Sequence, residues 1–189
     1  HAPDRTPLRW TIVESIPIPD DVRRLGKGAK ASISGWIESM QAVAAHGIKT
    51  ICYNFMPVVD WCRTDIDWPL PTGATAMRFD ADRFAAFDLY ILERPNAAVD
   101  YDAARIARAK ALYDAMTPAD IETLIVNIAS ALPGSTTDPL SIPAFRARLE
   151  TYQDIDAPRL RQHLVEFLEA VTPVAENLGV TLTLHPDDP

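Results

Sequence analysis

One punctuation pattern, used twice, constrains this chain more than any other feature. A helical stripe ends at a glycine and an apolar run follows at once, first at Gly47 and again at Gly179. Ahead of Gly47, Trp36, Ile37, Met40, Val43 and Ala44 fall on one helical face, with Ser34 as the expected cap and His46 near the end. After it, residues 48–55 (IKTICYNF) read as a buried strand. Residues 8–16 (LRWTIVESI) read as another, stopped by Pro17-Ile18-Pro19. Strand, helix, glycine, strand is a βαβ unit, which requires parallel strands and a right-handed crossover. The second use begins at Pro158, suited to a helix N-terminus. Leu160, Leu164, Phe167, Leu168, Val171 and Ala175 line its inner face, and Pro173 is expected to kink it. After Gly179, residues 180–184 (VTLTL) read as a third strand, followed directly by HPDDP.

Between these units the pattern changes. Residues 20–31 read as a loop. Residues 56–78 hold three prolines and two tryptophans and read as irregular chain. Helices are expected at 79–93, 102–115, 118–131 and 142–152, punctuated by Pro95, Pro133-Gly134 and Pro139. The reading is an α/β fold with about three parallel strands, one incomplete domain over 1–189, and a helical insertion at roughly 79–156. Three strands cannot close a barrel, which takes eight βα units and about 250 residues. With no initiator Met, the sequence is expected to belong to a longer product.

Composition narrows the classes of function. Hydrophobic residues are 48% and charged residues 23%, ordinary for a globular chain. A net charge of −8 argues against general nucleic-acid binding, yet an Arg or a metal can still hold a small carboxylate. No run approaches the roughly 18 apolar residues of a membrane span. Cys52 and Cys62 make neither a disulfide framework nor a CxxC zinc motif, so a reduced cytoplasmic setting is expected. GxGxxG, GxxxxGK[ST], GxSxG and HExxH are absent from the sequence.

Chemistry is expected where parallel strands end, because their C-terminal ends share one face. Three ends carry polar groups: Glu14, Asn54, and His185 with Asp187 and Asp188. A carboxylate closing an apolar strand needs a partner if buried. A histidine there is either structural or a ligand for Mn, Fe or Zn. Asp187-Asp188 reads equally as an exposed turn. In the loop, Asp60-Trp61-Cys62-Arg63 offers a guanidinium for a sugar-acid carboxylate, or one stapled to Asp60 or Asp65. Cys52 reads as core.

Several segments together carry a resemblance: TIVESIPI (11–18), GIKTICYNFMPVVDWCRTD (47–65), MRFD with FAAFDLYILERP (77–95), LPG (132–134), YQDID (152–156) and LTLHPDDP (182–189). In this order they resemble the mannonate dehydratase family over nearly the whole chain. The resemblance implies a partial TIM (β/α)8 barrel of the xylose-isomerase group. It implies a hydro-lyase that converts D-mannonate to 2-dehydro-3-deoxy-D-gluconate in hexuronate breakdown, using Mn²⁺ or Fe²⁺. By similarity His185 is a metal ligand, while Glu14, Asn54, Asp60, Arg63 and Asp187 touch substrate or orient the groups that do. The family's other ligands (a Cys, a second His and an Asp), its acid/base groups and its first strand lie outside these segments, so this stretch alone is expected to be inactive. The partner expected is a small sugar acid; homo-oligomers are compatible with the insertion. The alternatives are a metal-dependent sugar isomerase or epimerase of the same barrel group, and a non-catalytic fragment.

Overall fold

The computed structural model describes residues 8–59, 61–129 and 140–185. The chain divides into two units, one holding described residues 8–57 and 154–185, the other the described residues of 58–153. The expected insertion at 79–156 overlaps the second unit, which also takes in residues 58–78.

The first unit is a parallel sheet with helices on one face. Strands β1 (Ile12–Glu14), β2 (Thr50–Tyr53) and β5 (Thr181–Leu184) lie in the order β1-β2-β5. Glu14 stands opposite Cys52, and Cys52 opposite Thr183. The helices are α1 (Asp20–Arg23), α2 (Ala29–Ala45) and α7 (Ala157–Leu178). Side chains alternate along a strand, so Ile51, Tyr53 and Phe55 point together into a core with Trp36, Met40, Phe167, Val171 and Ala175. Topology and composition are those of part of a (β/α) barrel, as the sequence led us to expect.

The sequence placed some boundaries wrongly, for physical reasons. The 20–31 segment contains the short helix α1, and α2 starts at Ala29 rather than Ser34. Ser34 caps nothing; its hydroxyl donates back to the Lys30 carbonyl at 3.1 Å, which lets a serine sit inside a helix. Leu8 to Thr11 lie outside the strand, because β1 pairs only along three residues of β2. Helix α7 keeps its expected ends. The Asp156 carboxylate accepts from the Arg159 N–H at 2.9 Å. At Gly179 (φ +62) the Val180 N–H reaches the Ala175 carbonyl and the Gly179 N–H that of Glu176, a Schellman closure. The helix continues through Pro173 as one element.

The second unit opens with a surprise. Residues 65–78, read as irregular, form an antiparallel hairpin of β3 (Asp65–Pro69) and β4 (Thr75–Arg78) turning at Gly73, φ +85. Pro69 closes β3 instead of breaking it, and the Arg78 guanidinium lies over the Trp68 ring at 3.3 Å. Helices α3 (Ala81–Ala86), α4 (Ala103–Ala115), α5 (Pro118–Ala129) and α6 (Ile142–Glu150) follow. The expected 79–93 helix changes at Phe87–Ile91 into a π turn. There the Asp88 carboxylate is buried, held by Arg94 at 2.9 and 2.8 Å and by the Tyr101 hydroxyl at 2.8 Å. Phe87, Leu92, Leu124, Ile128 and Phe145 form this unit's main core.

Candidate functional site at the strand ends

The first unit's sheet has one face packed on helices, so whatever chemistry it carries stands on the other. Phe55 rejoins the core beyond the end of β2, which fixes the alternation through residue 55. Cys52 and Asn54 therefore face away from the helices. Register puts Glu14 and Thr183 on that same face beside Cys52. His185 shares the parity of Thr183, and its N–H donates to the Tyr53 carbonyl at 2.7 Å, extending the ladder one step past β5.

Glu14 and His185 flank β2 from opposite sides and their side chains meet over it. His185 Nε2 lies 3.6 Å from Glu14 Oε1, with side chains 37% and 51% exposed. Three residues far apart in sequence, Glu14, Asn54 and His185, thus share one face at the strand ends. Asn54 differs from its charged neighbours in being only 9% exposed.

The remaining expected residues fall elsewhere. Arg63 belongs to the second unit, where its guanidinium donates to the Cys62 carbonyl at 2.8 Å. The staple to Asp65 is pre-empted, since Asp65 binds Arg78 at 2.9 Å and accepts the Thr64 hydroxyl at 2.8 Å. Asp60 and Asp187 lie outside the described residues. Cys62 packs against the second unit's core. The His46 ring meets the Ala42 carbonyl at 2.8 Å, serving its helix end. Thr183 escaped the sequence reading. Its signal was the alternation of TLTL, in which Leu182 goes to the core and Thr183 to the other face.

Electrostatics separates the two faces. Burial, then the neighbouring Cys52, pushes the Tyr53 phenol up from its ordinary range, as suits a tyrosine packed among aromatic rings on the helix side. On the open face, an imidazole beside a carboxylate suits a divalent cation such as Mn²⁺ or Fe²⁺. These are two donors of a set, and among the described residues no group of three His, Cys, Asp or Glu side chains could hold a metal.

Comparison with known proteins settles what kind of chain this is. A family model described as D-mannonate dehydratase (UxuA) matches residues 3–189. The chain belongs to the D-mannonate dehydratase family. It is 66% identical over 185 residues to a mannonate dehydratase of Brucella canis, an alignment covering 98% of this chain and 46% of that protein. A mannonate dehydratase of Chromohalobacter salexigens is 47% identical over 182 residues, 96% of this chain and 46% of its own length. The crystal structure of mannonate dehydratase from Streptococcus suis serotype 2 superposes with a TM-score of 0.61 at 29% identity, covering 96% of this chain and 38% of that one. The chain thus spans about half the length of the curated relatives it matches. Among the described residues no helix is long and apolar enough to cross a membrane.

Proposed function

We propose that the protein bearing this chain dehydrates D-mannonate to 2-dehydro-3-deoxy-D-gluconate, as a cytoplasmic enzyme dependent on Mn²⁺ or Fe²⁺. The observation that carries the reading is the Glu14–His185 pair, two metal-suited side chains brought to 3.6 Å at the strand ends of a family member. His185 would hold the cation, with Glu14 beside it. A bound divalent cation supplies Lewis acidity that polarises the hydroxy acid and makes its C2 proton easier to remove. The rest of this chain's part is binding and orientation. Glu14, 3.6 Å from His185 Nε2, would help to orient the imidazole. The backbone bond from His185 to Tyr53 fixes where the ring begins. Loss of the C2 proton and the C3 hydroxyl, leaving together as water, gives an enol that tautomerises to the 2-oxo-3-deoxy acid. By resemblance alone, Arg63, Asp60 and Asp187 are proposed as groups that bind substrate or orient the groups that do, the Arg63 guanidinium being the one suited to a carboxylate.

The test is turnover. The polypeptide carrying this sequence, given D-mannonate and Mn²⁺, should form a 2-oxo-3-deoxy acid detectable as its semicarbazone, and chelator should abolish it. The variant His185→Ala should bind Mn²⁺ at least about tenfold more weakly by calorimetry. A ketose product would instead mean an isomerase, and metal-loaded protein without product would mean a binding module.

A further inference from the structure

The first unit holds a cavity of about 540 Å³ between the end of α1 and the first turns of α7, and none of the strand-end residues lines it. His163 is the buried residue of its lining, only 4% exposed, while the others are exposed or half-buried. One nitrogen fixes the His163 ring. Nδ1 lies 2.8 Å from the Arg23 carbonyl, and a carbonyl only accepts, so Nδ1 carries the hydrogen. In the neutral ring Nε2 is then an acceptor. Among the described residues nothing bonds to Nε2, and it is not one of the atoms sealed from solvent without a partner. The cavity is what reaches it. The other polar residues of the lining carry both signs. Arg24 and Arg159 bring guanidiniums, Asp156 and Glu166 bring carboxylates, and their formal charges cancel. Arg159 donates to the Asp154 carbonyl at 3.4 Å and Glu166 accepts from Gln162 at 3.3 Å, long bonds that use a small part of what each group can make.

We propose that this cavity is a binding site for a free amino acid in its zwitterionic form. The ligand's carboxylate pairs with the guanidiniums and its ammonium with the carboxylates, and one ammonium N–H donates to His163 Nε2. An ammonium has three donors and no acceptor, which matches an acceptor-only nitrogen beside two acids. A purely anionic ligand would meet the guanidiniums but also face Asp156 and Glu166, and a purely cationic one would face Arg24 and Arg159. A ligand carrying both charges satisfies the lining and leaves no net charge behind. The volume lies within the range of about 300–1,000 Å³ usual for small-molecule sites. Leu25 and Pro158 give the ligand's side chain an apolar wall. The site is separate from the strand ends, so the inference stands or falls independently of the dehydratase reading.

Calorimetry on the polypeptide carrying this sequence tests it. The probe is L-glutamine, whose uncharged side chain keeps it at net zero, with acetate and ethylammonium as its one-charge halves. L-Glutamine should bind at millimolar concentrations and neither half should. Two variants separate a ligand-holding histidine from a structural one. His163→Asn keeps an N–H placed like that of Nδ1 for the Arg23 carbonyl but lacks Nε2, and Arg159→Ala removes an exposed guanidinium. Each should raise the dissociation constant about tenfold, the size of one lost bond to a charged group. Wild-type protein that does not bind L-glutamine, equal binding of either half, or unchanged affinity in either variant would overturn the inference. Should His163→Asn also melt lower, because the histidine ties α7 to α1, the affinity of Arg159→Ala decides. Turnover of D-mannonate has no bearing on any of these outcomes.

Discussion

Phe167 is the residue on which the first unit most visibly depends, and truncating it should show how much. Its side chain is fully buried. The ring meets Trp36 edge-on at 5.1 Å and 84°, and sits 6.3 Å from Tyr53 and 6.2 Å from Phe55. Phe→Ala in a core costs about 3–5 kcal/mol, the transfer loss plus the cavity left behind. Each well-placed aromatic pair adds about 0.5–1.5 kcal/mol beyond area burial. Three such pairs are lost here and the partners cannot collapse freely, because Tyr53 is in β2 and Phe55 follows two residues after it. The expected cost of Phe167→Ala is therefore about 5 kcal/mol, a large share of a typical total of about 5–15 kcal/mol. With a urea m-value of about 2 kcal/mol/M, the unfolding midpoint should fall by about 2.5 M.

Urea titration followed by circular dichroism and tryptophan emission measures this directly, with Phe167→Leu as companion. Leucine keeps most of the volume and should lose only about 1–1.5 kcal/mol, so it stays folded even if alanine does not. A midpoint shift for Phe167→Ala worth less than about 2 kcal/mol would refute the reasoning. So would an equal loss from Leu168→Ala, whose side chain packs only at the cluster's edge.

Two further perturbations test other parts of the molecule. Hydrogen bonding from Arg108, reinforced by the charges of Arg108 and Arg105, holds the Asp82 carboxyl below its ordinary range against the opposing effect of burial. A lowered folded-state pKa stabilises above the unfolded value near pH 4, and the gain is lost as pH falls through the folded one. Asp82→Asn should therefore melt about 1–3 °C lower than wild type at pH 7, with the gap closing below about pH 4 and shrinking in high salt; a constant gap across pH would mean that the charge is irrelevant. Gly179→Ala should cost about 1 kcal/mol by chemical denaturation, because the Schellman closure of α7 needs φ +62 there, and Gly179→Asn should cost less.

What could be read from the chain was whatever short-range chemistry decides alone. Helix α7 announced both of its ends, since Pro158 and Gly179 suit helix ends for reasons internal to the helix, although the cap from Asp156 was seen only in the fold. Strands β2 and β5 announced themselves by following helix-ending glycines. The β3–β4 hairpin did not, because three prolines between 56 and 78 mask two four-to-five-residue strands whose pairing is a tertiary fact. Ser34 misled because a serine reads as a cap until its hydroxyl is seen bonding backwards inside a helix. At the site, Glu14 and His185 were legible as polar groups at strand ends, but their meeting at 3.6 Å depends on strand order, which pattern alone does not fix.

The period of a strand gives β2 a division of labour that mutations should respect. Ile51, Tyr53 and Phe55 face the helices and determine whether the sheet holds together, while Cys52 and Asn54 face the other way. Changes at the first set should therefore appear as lost stability and changes at the second as lost binding. The Tyr53 carbonyl, which receives the His185 N–H at 2.7 Å, is where the two sets join. Through it, loosening the aromatic cluster around Phe167 reaches the site as a displaced ladder rather than as an altered charge. The Phe167→Leu protein should then keep the metal preference and pH response of the wild type while binding both cation and sugar acid less tightly, whereas His185→Ala should lose the cation at undiminished stability.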